Sequence, residues 1–400
     1  MSGRASISVP EVDLPQGFAL HSGNIGIKDQ TRDVMILSAV EGTTAAGMFT
    51  RSRFSGPSVI LSREHVADGR GRAVVVISKN SNVATGEVGV ANAAELAELT
   101  ARVVGCDARD VLVASTGVIG VRYPMERIRR YMTALASDPE AFDTPGSATT
   151  AAEAIMTTDT HAKVAQARAT PATVVGIAKG VGMIEPDMAT MLAFVATDAA
   201  VPSPVLDALF RRVVDRTLNA LSIDTDTSTS DTAVILASGT AGPVDETELE
   251  AAVEEVCLDL TRQLAADGEG AETLIVVTVD DARDDTQAKR VAKAIVNSPL
   301  VKTAVHGRDP NWGRVAMAVG KCNDRDIDQD RVVIRFGETE VYPEPATPQM
   351  LEGLARYLAE PEILIHVSLG IRPGEGGGLF TVYGCDLTDG YVRINADYTT

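Results

Sequence analysis

Apolar positions recur at two spacings along the chain. Leu249, Val253, Val256, Leu260 and Leu264 step by three or four residues, which places them on one helical face. Gly268 is a stop for that helix, and Leu274 to Val279 (LIVVTV) follows as a buried strand. The same logic predicts strands at Arg72 to Ile77 and Val111 to Ser115, with a helix at Val90 to Val104 between them. Ser203-Pro204 starts a helix whose inner face is Leu206, Leu209, Phe210 and Val213. Met191 to Ala196 reads as a buried strand, and Thr286 to Val296 as a helix leading into a loop-rich segment around His306. The last third shifts toward strands: Val332 to Phe336, Ile363 to Val367, Leu379 to Gly384 and Tyr391 to Ile394. Ser137 to Thr150, rich in turn formers and acids, reads as a surface connection. The expected class is α/β, with mixed sheets layered with helices.

Composition narrows the function. A chain of 400 residues can bury a large core and is expected to divide into more than one structural unit. No stretch approaches the roughly 18 apolar residues of a membrane-spanning helix, and the start, MSGRASISVPEVDLPQGF, lacks the apolar core of a secretory signal. A cytoplasmic protein is expected. With 36 basic against 55 acidic residues the net charge is −19, which repels phosphate backbones and anionic lipid. Nucleic acid and membrane are therefore poor partners. Cys106, Cys257, Cys322 and Cys385 are far apart, and no histidine sits at zinc-ligand spacing, so neither a metal cage nor a His-dependent triad is expected.

That scarcity moves attention to Lys179-Gly180-Val181-Gly182-Met183-Ile184-Glu185-Pro186-Asp187-Met188-Ala189-Thr190-Met191-Leu192, where a glycine-rich turn delivers a threonine to the head of an apolar strand. Attack by the Thr190 hydroxyl on the carbonyl of Ala189 would form an ester, and hydrolysis of that ester would free the Thr190 α-amine to act as base for its own hydroxyl. A β-branched residue is equally at home at a strand start for structural reasons. Ser115-Thr116-Gly117-Val118-Ile119-Gly120 ends a strand with a small-residue turn. It reads as a candidate oxyanion hole or as an ordinary strand-to-loop turn. It lacks the lysine of a P-loop.

Other runs are less specific. Asp224 to Thr232 fails as a calcium loop, since Thr229 and Ile235 stand where glycine and glutamate are needed. It reads as a structured polar loop near the site. His306 to Arg314 holds the single tryptophan and reads as either a binding wall or a packed loop. Arg372 to Gly378 is a tight turn.

Taken together, KGVGMIEPDMATML, STGVIG, SIDTDTSTSDTAV, SPLVKTAVHGRDPNWGR, GMFTRSRFSGPSVILSREH and the terminal YVRINADYTT resemble segments of the ornithine acetyltransferase (glutamate N-acetyltransferase) family over nearly the whole chain. The resemblance implies an N-terminal-nucleophile-type fold and a precursor that cuts itself between Ala189 and Thr190, giving an α chain of 1–189 and a β chain of 190–400 that stay together, with oligomers of αβ units expected. It implies ping-pong transfer of acetyl from N2-acetyl-L-ornithine to L-glutamate through acetyl-Thr190, without metal or bound cofactor. Thr116 and Gly117 take the oxyanion role in this family pattern. Thr157, Lys179, Thr190, Glu269, Asn395 and Thr400 take the substrate contacts, Lys179 suiting a carboxylate and Glu269 an ammonium. Glu185, Asp187 and Lys79 depart from the arginine-pathway pattern. The first two resemble the branch found beside clavam antibiotic genes. Use of acetyl-CoA as a second donor, a related self-cleaving amidohydrolase or aminopeptidase, and an acidic binding protein with a structural Thr190 are the alternatives.

Overall fold

The computed structural model describes residues 11–138, 140–185, 191–344, 346–374 and 376–397. A five-stranded sheet runs in the order Thr44–Phe49, Thr232–Pro243, Leu192–Ala200, Ala172–Lys179, Lys163–Ala169. Its central strand, Leu192–Ala200, is apolar at nearly every position because both faces are covered. Ala193 and Val195 pack with Leu206, Phe210 and Val213 of the Ser203–Arg216 helix and Leu249, Val256 and Leu260 of the Glu246–Ala266 helix. Leu192, Phe194 and Ala196 point the other way, onto Leu37, Val76 and Leu112 of a four-stranded sheet and onto the helix Ala148–Ile155. That second sheet is ordered Phe18–Gly23, Val34–Ala39, Ala73–Ile77, Val111–Ser115. Its far face, with Ile36, Val75 and Val113, is covered by the helices Gly86–Val104 and Met125–Leu135. Two sheets face to face between two helical layers result.

A third sheet, ordered Thr339–Tyr342, Val333–Phe336, Glu362–Ser368, Leu274–Ala282, Gly378–Cys385, carries its own core with helices Asp285–Val296, Pro299–His306, Trp312–Gly320 and Pro348–Tyr357. Its link to the central layers runs through Ser222, whose N–H donates to Tyr383 O at 2.8 Å. The buried Lys302 ammonium adds to that link by donating to Ile223 O and Cys385 O.

Two sequence expectations need correction. Tyr391 to Ile394 is not a strand but part of the helix Asp389–Asp397, none of whose residues is buried. A four-residue apolar run carries too little periodicity to separate the two forms. The segment around His306 is not loop-rich but mostly helical, with Ser298 capping the Pro299–His306 helix. Trp312 heads the next helix and lies 5.2 Å from the Tyr342 ring, as a packing residue. The 137–150 stretch is, over most of its described length, the exposed connection expected, and its last residues begin the Ala148–Ile155 helix. Asp143 and Leu20 exchange backbone hydrogen bonds, and the Ser147 hydroxyl caps the Ala148–Ile155 helix.

Candidate functional site

Register sets the site. Lys179 pairs with Leu192 and Leu192 with Thr232, so the ends of three neighbouring strands line up at one edge of the central sheet. The facing sheet ends beside them, where Thr116 follows the Val111–Ser115 strand and its N–H donates to Ile77 O at 3.0 Å. Between these ends is a cavity of about 150 Å³ whose wall includes Thr116, Gly117, Thr157, Lys179, Asp231 and Glu269. Asn395 and Tyr391 of the C-terminal helix complete the wall.

Gly117 is where the turn after the Val111–Ser115 strand needs glycine. Its φ is +125°, and a Cβ there would stand 2.3 Å from the carbonyl carbon of Lys79. Beside it, the Thr116 hydroxyl accepts from the Lys179 ammonium at 3.1 Å. Lys179 is only 9% exposed, and burial pushes its ammonium below the usual lysine range against the pull of Asp159. Glu269 accepts from Thr158 Oγ1 at 3.1 Å and from Asn395 Nδ2 at 2.8 Å, and it lines the same cavity as Lys179.

Behind the wall lies a buried ion network. Lys163 is completely buried in the edge strand, its ammonium 2.8 Å from Asp159 Oδ1 and 2.7 Å from Asp267 Oδ2. Asp159 also accepts from Gly180 N at 2.7 Å and Thr157 N at 3.1 Å. The neighbouring ammonium groups hold its carboxyl well below the usual range despite burial. This network fixes Thr157 and the first residue of the glycine-rich turn at once. The far side of that turn is held by Asp224, whose two oxygens accept from Met183 N and Ile184 N at 2.7 and 2.8 Å.

Six of the residues named from sequence therefore share one cavity: Thr116, Gly117, Thr157, Lys179, Glu269 and Asn395. Ala189, Thr190 and Thr400 lie outside the described residues, as does Asp187. Met191 and Leu192, which follow Thr190, line the cavity. The polar loop from Asp224 also lines it, through Asp224, Asp226 and the run 228–231. Sequence reasoning placed this loop near the site but gave no role to Asp224 or Asp231. Asp159, Lys163 and Tyr391 were missed altogether. Glu185 does not line the cavity. It accepts from Ser222 Oγ at 2.9 Å and from Asn297 Nδ2, with Lys293 at 3.7 Å.

The scattered histidines do not all stay scattered. Glu272, His306 and Asp386 bring their ligand atoms within 4.8 Å of one another, outside the cavity. Asp386 is already committed, accepting from the backbone of Glu272 and Thr273 at 2.8 and 3.0 Å and lying 3.2 Å from His306 Nδ1.

Comparison with known proteins identifies a family. The ArgJ family profile matches residues 19–400. The chain is 55% identical over 395 residues to glutamate N-acetyltransferase Oat2 of Streptomyces clavuligerus, covering 96% of this chain and 98% of that protein. It is 52% identical over 395 residues to arginine biosynthesis bifunctional protein ArgJ 2 of Nostoc sp., covering 98% and 100%. Among solved structures it is similar to arginine biosynthesis bifunctional protein ArgJ of Bacillus halodurans at 37% identity and a TM-score of 0.48, over 51% of this chain and 98% of that one.

Proposed function

This chain belongs to the ArgJ family, and we propose from that membership that its cavity transfers acetyl from N2-acetyl-L-ornithine to L-glutamate. The observation that carries the reading is that Lys179, Glu269 and the Thr116-Gly117 turn line one cavity. An N-acetylated amino acid presents a carboxylate, an amide carbonyl and, in ornithine, a side-chain ammonium. Lys179 suits the carboxylate, Glu269 the ammonium, and the turn the carbonyl oxygen as charge develops on it. Among the described residues Asp224, Asp226 and Glu269 share the wall with one lysine, which favours a donor that carries an ammonium.

The chain cuts itself between Ala189 and Thr190, leaving an α chain of 1–189 and a β chain of 190–400. The freed α-amine of Thr190 takes the proton of its own hydroxyl. Thr190 Oγ attacks the acetyl carbonyl, the oxyanion is held at Thr116 and Gly117, and ornithine leaves. Glutamate then enters the same subsite and removes the acetyl group. Asn395, Thr157 and Thr400 complete the substrate shell, and αβ units associate further, in the cytoplasm. The two chains remain joined because the Leu192–Ala200 strand is hydrogen-bonded between a strand of each fragment, Ala172–Lys179 and Thr232–Pro243.

The test is incubation with N2-acetyl-L-ornithine in the presence and absence of L-glutamate. Glutamate-dependent release of ornithine with formation of N-acetylglutamate is expected. Acetate released at one rate in both would mean that water is the acceptor and that the enzyme is a hydrolase.

A further inference from the structure

Asp231 is a buried acid that the reaction as written leaves idle. It stands just before the Thr232–Pro243 strand, whose first N–H, of Thr232, donates to Met191 O at 2.9 Å, and it is 2% exposed. Its side chain lines the cavity beside Lys179, and its Oδ2 has no hydrogen-bond partner among the described residues. Buried carboxylate oxygens are rarely left so. Burial pushes the carboxyl well above the usual range, against opposing pulls from Ser228, Lys179 and Thr50. Lys179 is the cation acting on it from the neighbouring strands. Asp224 and Asp226 of its own loop and Glu269 are the other charged groups of the cavity wall.

The chemistry has a place for such a group. In the first half-reaction the amide nitrogen of the donor leaves as an amine, carrying the proton of the nucleophile's hydroxyl. To depart as an ammonium at neutral pH it needs one proton more. In the second half the acceptor arrives as an ammonium. One proton returns to the nucleophile's oxygen, one stays on the new amide, and one must be shed. The enzyme is thus short of one proton in the first half and left with one in the second.

We propose that Asp231 is the store for that proton. Its carboxylic acid protonates the departing amine, its carboxylate faces Lys179 while the acetyl-enzyme persists, and it recovers the proton from the incoming ammonium. The inference rests on the acetyl-transfer reading and adds a residue that this reading does not use.

The experiment uses the self-processed protein in weak buffer at neutral pH with a pH-indicator dye and N2-acetyl-L-ornithine alone, while mass analysis counts acetyl groups on the protein. With the store, acetyl-enzyme forms and ornithine leaves with no net proton taken from solution. Uptake of one proton per acetyl group by the unmodified protein would overturn the proposal. Asp231→Asn, which cannot ionise, is expected to take up one proton per acetyl group and to acylate about 100-fold more slowly, the scale of a lost acid–base group. Acylation of that variant at the unmodified rate with no uptake would also overturn it. Failure of the acetyl-transfer reading is seen in the mass channel alone, as no acetyl-enzyme at all, and takes this inference down with it.

Discussion

Replacing Lys163 with methionine keeps most of the unbranched side chain and removes the cation that Asp159 and Asp267 share. All three side chains are fully shielded from water. Removing one partner of a buried ion pair leaves an uncompensated charge and costs about 3–5 kcal/mol. Here two carboxylates lose the cation they share, and Asp159 must go on accepting from Gly180 and Thr157 with Lys179 as the cation still acting on it. At about 2–4 °C per kcal/mol for a cooperative unit of roughly 150–250 residues, the melting temperature should fall by about 6–20 °C. Thermal unfolding by calorimetry at neutral pH measures this. The pH dependence carries a sign. In the unmodified protein the Asp159 carboxyl is depressed, so its contribution is present above the unfolded carboxylate range and is lost only in strong acid. In the variant, burial without the cation raises the carboxyls, and protonation relieves the stranded charges. The gap between the two proteins should therefore narrow as pH falls from 7 toward about 4, near the carboxylate range. The triple variant Lys163→Met, Asp159→Leu, Asp267→Leu should recover much of the loss, since an apolar replacement of a whole buried network is often neutral or better. A Lys163→Met variant within about 1 kcal/mol of the parent, in the range of exposed pairs, would refute the argument.

Gly117→Ala should lower kcat by about 100-fold or more, the cost of a lost oxyanion donor, because the added carbon overlaps the Lys79 backbone and must displace the turn. Steady-state kinetics beside a thermal melt separate this from unfolding. Glu269→Gln should raise KM for N2-acetyl-L-ornithine by about 10–100-fold, matching about 1.5–3 kcal/mol for a hydrogen bond to a charged group, while Asn395 can still donate to the amide oxygen and the Thr158 hydroxyl can turn to accept from the amide NH2. An unchanged KM would remove Glu269 from the ammonium subsite. Asp224→Ala should slow chain cleavage without changing the cavity's charge partners Lys179 and Glu269, since it frees Met183 and Ile184 just ahead of the cut. Gel analysis of freshly synthesised protein over time reads that rate.

Much of the architecture is legible in the chain because long elements carry their own period. The Glu246–Ala266 helix and the strands at 111–115 and 274–282 lie where periodicity puts them, shifted by a residue or a few at the ends. The C-terminal helix escaped because Tyr391 and Asn395 are inward at a spacing of four for chemical rather than apolar reasons, with Val392 and Ile394 exposed. Helical burial cannot be read where nothing is buried. The cavity wall was legible only through motifs taken together, since Thr116, Lys179, Glu269 and Asn395 are separated by long stretches of chain. The ion network was not legible at all. Lys163 sits in a strand sequence that alternates like any edge strand, and its partner Asp267 is 104 residues away, so only the folded sheet brings them together. A sequence signal existed for Asp231, in the density of acids and hydroxyls from Asp224 onward, but turns use the same residues.

The central claim is that Thr190 first cuts the chain and then carries the acetyl group. Denaturing mass analysis of the purified protein, before and after brief exposure to N2-acetyl-L-ornithine, tests both steps at once. The account predicts two fragments divided between Ala189 and Thr190, with one acetyl group gained by the fragment that begins at Thr190, and a single unacetylated chain for Thr190→Ala. An uncut wild-type chain, or an acetyl group on the 1–189 fragment, would contradict it.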